Sequence, residues 1–294
     1  MKIENKKSLK YFFLILVSVI ILGELYFRYF QGLADAPIYI TSEKYEYISA
    51  PNQDGSRFGN HYHYNSYSQR SEEPDSTKVI ILGLGDSVLF GGNQSDQDSI
   101  ATSLFTKENK QFQMLNISAG SWGPDNCSAY LKEKGIFNAK KMFLVVSSHD
   151  AHDNMNFEPV VGVHNSYPNK KYRLALGELF ERYLIPRITK LFIQKKELDP
   201  DQKVLNGINI KKNGKDFNVG FNELKSISDS LSIPLIIYLH ADKLESKDKR
   251  YNEQGQEIIN WSIKNNIKFN QKVNVRFQEK KQSQTKINHE DINN

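Results

Sequence analysis

Lys78 to Ser87 reads KVIILGLGDS: an unbroken apolar run closed by two glycines, an aspartate and a serine. Continuous apolar runs of this length without period-two alternation belong to strands buried on both faces, as in a parallel sheet. The same pattern returns downstream. FQMLNIS (112–118), KMFLVVSS (141–148) and PLIIYLH (234–240) read as strands, with a weaker one near Ile267 to Phe269. Helical periodicity fills the intervals, over about 99–109, 124–134, 172–196, 219–231 and 253–265. A polar loop is expected over 197–218. Alternating strands and helices imply right-handed crossovers and a parallel sheet covered on both faces. The expected fold is a three-layer α/β/α domain with a central parallel sheet.

Outward from that core the chain divides into four parts. Residues 1–30 carry Lys2, Lys6, Lys7 and Lys10, then YFFLILVSVIILG (11–23) and ELYFRYF (24–30). Lysines before an apolar run and aromatics after it predict a transmembrane signal anchor, with a cytoplasmic N-terminus and the rest of the chain exported. A cleaved signal peptide competes with this. The small-residue triplet Ala34-Asp35-Ala36 lies far beyond the apolar core and precedes Pro37, which favours the anchor. Residues 31–77 form a lead-in segment, 78–270 the α/β domain, and 271–294 a tail poor in apolar residues. In the lead-in, NHYHYNSYSQR (60–70) alternates as a strand does, placing Tyr62 and Tyr64 on one face and His61 and His63 on the other. No third metal ligand beside those histidines is evident in the sequence.

The chain has 294 residues, 39% of them hydrophobic, enough for one α/β domain with appendages. A net charge of +5 spread along the chain, without aromatic residues interleaved in a basic motif, argues against nucleic acid as a partner. Cys127 is the only cysteine, so neither an internal disulfide nor a thiolate metal site can form.

Open α/β sheets bind ligands beyond the carboxyl ends of their strands, where strand order reverses. Small, polar or ionisable residues follow each of the first three strands: Gly85-Asp86-Ser87, Ser118 to Gly123, and Ser147 to Asn154. The glycines around Gly83 to Gly92 form neither GxGxxG nor a Walker motif, so a phosphate loop is not indicated. The last cluster, SSHDAHDN, is dense in metal-ligand residue types. His149, Asp150, His152 and Asp153 nevertheless match no strong metal-ligand spacing.

LGLGDSVLFGG (82–92) resembles the nucleophile block of the SGNH/GDSL hydrolases. The resemblance implies Ser87 as a nucleophile that attacks an ester carbonyl, with Asp86 in support. LNISAGSWG (115–123) is similar to the family's second block, where a glycine five residues after an asparagine donates its N–H to the oxyanion hole. Counted from Asn116 that position is Ser121, and the resemblance implies the N–H of Ser87 and of Gly120 or Ser121 as donors. In the third block His149 stands where the family has an oxyanion-hole asparagine; an imidazole N–H also donates, with Asp150 or Asp153 fixing its tautomer. The last block, Asp-x-x-His, is matched only by His289 in TKINHEDINN (285–294), preceded by Lys286 rather than aspartate. His289 is then the expected base, with Asp291 as an unconventional partner; His240 reads instead as a strand-end residue.

An anchor followed by Glu24-Leu25-x-x-Arg28, Pro51-Asn52, Asn65 and Arg70 is similar to exported SGNH-like proteins of bacterial envelope and exopolysaccharide systems. The implied function is hydrolysis or transfer of O-acyl groups, acetyl foremost, on carbohydrate, without a cofactor or bound metal. The departures at His149 and Lys286 imply an alternative: a catalytically impaired, anchored binding or assembly protein. Metal-dependent hydrolysis through the His-Asp cluster is a third.

Overall fold

The computed structural model describes residues 2–192, 210, 212 and 214–271. Helix α1 (Lys2–Tyr29) is followed by two antiparallel hairpins, β1 (Tyr39–Ser42) with β2 (Glu46–Ser49) and β3 (Gln53–Arg57) with β4 (Asn60–Tyr64). The α/β part then runs β5 (Val79–Gly85), α2 (Ser87–Phe90), α3 (Ala101–Glu108), β6 (Phe112–Ser118), α4 (Pro124–Lys134) and β7 (Lys141–Ser147). It continues through α5 (Ala175–Glu178), a π-helical turn (Leu179–Leu184), α6 (Ile185–Phe192), α7 (Gly220–Leu231), β8 (Leu235–His240), α8 (Lys243–Asp248), α9 (Glu253–Lys264) and β9 (Lys268–Gln271).

The five long-range strands form one parallel sheet in the order β6-β5-β7-β8-β9. The expected α/β sheet is therefore present, and its order reverses between β5 and β7, the crevice where such sheets take ligands. Period-two alternation divides β5 between two cores. Ile80, Leu82 and Leu84 point to the larger one, beneath α4, α7 and α9, with Tyr130, Phe221 and Ile258. Ile81 joins Met114, Phe143, Ile236 and Phe105 of α3 on the opposite face. Gly83 and Gly85 lie on that second face, where a Cβ on Gly85 would come within 2.8 Å of the Val145 carbonyl and 3.1 Å of Leu89 Cβ. The glycines let α2 settle onto the sheet.

The lead-in segment shares the larger core. Tyr39, Tyr45, Tyr47, Ile48, Tyr62 and Tyr64 are buried among residues of β5, β6 and β7. Tyr62 and Tyr64 thus occupy the inward face expected from alternation, and His61 and His63 turn outward to meet Asp54 at 3.2 and 3.1 Å across the hairpin. Asp54 is their hydrogen-bond partner across the hairpin, which the local sequence did not reveal.

The helical stretch expected over 172–196 begins at Ala175 and carries a π turn. Pro186 has no N–H to return to Arg182, and the Ile185 N–H reaches back five residues to the Phe180 carbonyl instead. Glu178 and Arg57 form a fully buried ion pair between this helix and β3, with Arg182 closing on the same carboxylate at 2.6 Å. A second buried pair joins Lys212 to Glu46 at 2.5 Å. Helix α1 meets the criteria of length and apolarity for a membrane span over Ser8–Tyr29.

Candidate active site

Strand β5 delivers Gly85 and Asp86 to the reversal point, and Ser87 opens α2. Asp86 is the N-cap: its Oδ1 accepts from the Val88 N–H at 2.8 Å, as a short polar side chain at a helix start does. Gly91, with φ +73°, closes the turn by donating to the Ser87 carbonyl. Arg70 holds the next stretch. It is 1% exposed, and its guanidinium donates to the carbonyls of Phe90, Gly92 and Ser95 at 2.7–2.8 Å. Asn116 ties β6 to the same turn by donating to the Leu89 carbonyl at 3.1 Å. Ser87 itself is exposed, and its hydroxyl has no hydrogen-bond partner among the described residues.

The loop after β6 forms a second wall. The hydroxyls of Tyr47 and Tyr167 both donate to the Gly120 carbonyl at 2.9 Å, and Trp122 Nε1 donates to the Tyr47 carbonyl. Their convergence fixes the Gly120 carbonyl direction and leaves the Gly120 and Ser121 N–H groups without a hydrogen-bond acceptor among the described residues. Ser121 takes φ +59°, the left-handed region that glycine enters freely and serine at a cost of about 1–2 kcal/mol. Gly123 then starts α4, its N–H donating to Asn126 Oδ1 at 2.8 Å.

The third wall is the turn after β7. Asp150 Oδ2 accepts from the Ser147 N–H at 2.7 Å, and Ser147 Oγ donates to Asp86 Oδ2 at 3.2 Å, linking the walls. His149 is 58% exposed, with Nε2 at 3.9 Å from Asp150 Oδ1 and 3.8 Å from Asp153 Oδ2. Asp150 Oδ1 is buried without a hydrogen-bond partner in the described residues. Burial raises the carboxyl pKa of Asp86, against the opposing charge of His149. Burial together with the Asp86 charge pushes Asp150 well above the ordinary range. Burial lifts Asp153 to about 6 although His149 and Lys212 oppose it.

Asp86, His149 and Asp150 bring three ligand-type atoms within 4.8 Å of one another. A first-row metal binds such atoms at about 2.0–2.2 Å, which sets donors roughly 3 Å apart. Both Asp86 oxygens accept hydrogen bonds, Oδ1 capping α2 and Oδ2 holding Ser147. The donor set fits a hydrogen-bonded wall better than a metal cage. His152 leaves the cluster altogether: its Nε2 meets Glu257 at 2.7 Å and its Nδ1 meets Gln254 at 3.2 Å, both on α9.

The structure thus gathers Asp86, His149 and Asp150 within 4.8 Å of one another, with Asp153 beside His149; Ser87 follows Asp86 at the end of β5, and Gly120 and Ser121 follow the end of the neighbouring strand β6. His240 ends β8 in register with Ser147, and its imidazole is pushed toward neutrality by burial while feeling the Asp86 charge. His289 and Asp291 lie outside the described residues. The sequence did not assign Tyr47 and Tyr167, which act on Gly120 from 73 and 47 residues away. Arg70 stood out in the sequence only by its place in the layout.

No family model matches the chain, and no curated protein matches it. Among solved structures it is similar to a protein described as G-D-S-L family lipolytic, from Desulfitobacterium hafniense DCB-2. Identity is 10% and the TM-score 0.35, over 66% of this chain and 77% of that one. It is also similar to an α/β hydrolase enzyme from the metagenome of Lake Arreo, Spain, at 8% identity and a TM-score of 0.27 over the same shares. Neither superposition is close enough to add to the strand order, and the fold stands on the topology of the sheet itself.

Proposed function

We propose that the chain is a serine acyl hydrolase or O-acyltransferase of the SGNH type, held at a membrane by α1. Its substrates are ester-linked acyl groups, acetyl foremost, of cell-envelope or extracellular carbohydrate. One observation carries the chemistry: Ser87 opens a helix at the sheet's reversal point, exposed, and the loop after the adjacent strand β6 carries the Gly120 and Ser121 N–H groups, which have no acceptor among the described residues. The left-handed backbone of Ser121 supports its alignment with the glycine of the second SGNH block.

In this reading Ser87 Oγ attacks the ester carbonyl and forms a tetrahedral oxyanion. The N–H groups of Ser87 and of Gly120 or Ser121, with the His149 imidazole, receive the developing charge. The general base takes the serine proton and returns it to the departing sugar oxygen, leaving an acyl-serine. Water or a second sugar hydroxyl then attacks the acyl carbon, losing its proton to the base; the bond from the acyl carbon to Ser87 Oγ breaks, and the base returns that proton to the serine. His289, partnered by Asp291, is the proposed base. The carbohydrate substrate rests on the resemblance of the anchor and lead-in layout to exported envelope proteins.

Ser87→Ala in the full chain, assayed on p-nitrophenyl acetate and acetylated oligosaccharides, is expected to lose turnover by at least 1,000-fold, on the order of known nucleophile deletions. Equal turnover by both proteins would remove the assignment.

A second reading is an anchored SGNH-like binding or assembly protein with an impaired site. It is favoured by the lack of any histidine hydrogen-bonded to Ser87 Oγ among the described residues. A fluorophosphonate probe separates the two, since covalent labelling at Ser87 requires an activated hydroxyl.

A further inference from the structure

We infer that α5, the π turn and α6 form an interfacial helix that lies in the headgroup layer of the bilayer spanned by α1 and prefers anionic phospholipid. The inference rests on the anchoring role proposed for α1.

Two features place this helix at the membrane surface. Glu24, near the end of α1, accepts from the Ala175 and Leu176 N–H groups at 2.9 Å each, so a residue of the anchor helix caps α5. Arg28 bridges back to the same junction, donating to Glu24 and to the Arg173 carbonyl at 2.6 Å. The first turn of α5 is therefore docked beside the last two turns of α1. The uncharged run from Tyr11 to Gly23 spans only roughly 20 Å at 1.5 Å per residue, about 10 Å less than a hydrocarbon core. A short anchor draws its flanking residues down into the interface.

The exposed face of the helix suits that depth. Phe180 (55%), Ile185 (54%) and Ile188 (49%) stand in solvent although they are large and apolar. The π turn brings Phe180 and Ile185 one turn apart, and Ile188 follows at the helical i+3 spacing. The inward side is saturated: Leu33, Ala34 and Ala175 form a small core with Leu179 and Tyr183, and Glu178 binds Arg57 and Arg182. Lys170 and Arg173, just before the helix, and Arg187 within it are exposed cations, against Glu181 as the exposed carboxylate of the helix. Apolar side chains flanked by exposed cations are the pattern of a helix lying on an anionic lipid surface.

The test uses the full chain reconstituted in vesicles. Cys127 is fully buried, so an environment-sensitive maleimide fluorophore will report an introduced exposed cysteine. Phe180→Cys and Ile188→Cys test the inference, Leu16→Cys reports the anchor, and Ser226→Cys on α7 serves as the water-exposed control. Labels at 180 and 188 are expected to be quenched by spin-labelled lipids carrying the nitroxide near the headgroup. Quenching should be at least twofold stronger in phosphatidylglycerol than in phosphatidylcholine vesicles. The label at 16 should respond to a deep nitroxide and that at 226 to neither. Quenching at 16 without quenching at 180 and 188 overturns the inference and leaves the anchor standing. No quenching at 16 overturns the anchor and the inference with it. Equal quenching in the two lipids overturns the anionic preference.

Discussion

Glu178→Gln tests how the hairpin region is fastened to the helix over 175–184. Four hydrogen bonds converge on this carboxylate: the Ala34 N–H at 2.6 Å, Arg57 Nη1 at 3.0 Å, Arg57 Nη2 at 2.5 Å and Arg182 Nη1 at 2.6 Å. The amide preserves shape but turns an NH2 toward groups that are themselves donors, and it leaves two guanidinium charges without a counter-ion. Breaking a buried ion pair from one side costs about 3–5 kcal/mol. Arg57, 1% exposed, bears that penalty in full, whereas Arg182 stands nearer the surface and can turn to water. The expected loss is about 3 kcal/mol at neutral pH, read from urea unfolding of the full chain in detergent by the fluorescence of buried Trp122.

The pH dependence supplies a second reading of the same substitution. Burial alone would raise the Glu178 carboxyl pKa, but the hydrogen bonds and charge of Arg57, the Ala34 N–H and Arg182 outweigh it and hold the carboxyl below its usual range. A depressed folded-state pKa gives stability that is complete above the unfolded value, about 4.3, and is lost as pH falls through the folded value. The gap between wild type and variant should therefore be full at pH 7 and narrow below about pH 4. A gap under about 1 kcal/mol at pH 7, or one unchanged down to pH 3, would refute the reasoning. Arg57→Met with Glu178→Leu should recover part of the loss, because an apolar pair replaces a buried ionic one.

Four further outcomes are expected. On the proposed function, His149→Ala should lower kcat about 100-fold, while His149→Asn, which places there the asparagine of the SGNH third block, should retain most of the rate. Ser121→Gly relieves about 1–2 kcal/mol of left-handed strain and gives back up to about 1 kcal/mol as unfolded-chain entropy, so thermal denaturation should show a small gain, with turnover unchanged. Asp153→Asn should flatten the stability profile around pH 6. The raised pKa of Asp153 makes its contribution complete below about pH 4 and lost as pH rises through about 6, so the variant should be the more stable protein above pH 7, by on the order of 1–3 kcal/mol. Gly123→Ala drives a Cβ to 2.5 Å from the Asp153 carbonyl and 2.9 Å from Asn218 Nδ2, and circular dichroism melts should show a loss of about 1–3 kcal/mol.

The parallel sheet was legible because strands buried on both faces need uninterrupted apolar runs, and these occur at 79–85, 112–118, 141–147 and 235–240. Helix α4 was legible to the residue because Pro124 marks its start and Gly135 its end. The strands at 39–42 and 46–49 escaped notice: four residues each give too short a pattern to separate from a loop. What the sequence hides is pairing across distance. Arg57 and Glu178 are separated by 121 residues, and neither has a local feature announcing that it is buried. The same holds for Tyr47 and Tyr167 on Gly120. His149, Asp150 and His152 stand close in sequence, yet the 3-10 turn over Ser148–Ala151 sends His152 toward α9 and keeps His149 and Asp150 beside Asp86.

The capping of α5 by Glu24 bears on how the proposed enzyme would meet its substrate. A domain on a flexible leash sweeps a hemisphere of solution and samples every height within the leash length. Here Glu24 and Arg28 on one side, and Glu178 with Arg57 on the other, clamp residues 24 to 57 into the body of the domain, leaving no such leash beyond α1. With α1 in a bilayer, Ser87 would stand at one height and one tilt above the lipid. On the proposed function, such a catalyst would not search for distant chains but would act on polymer passing its fixed station, and lengthening the junction between Phe30 and Gly32 would then change which acyl positions it reaches.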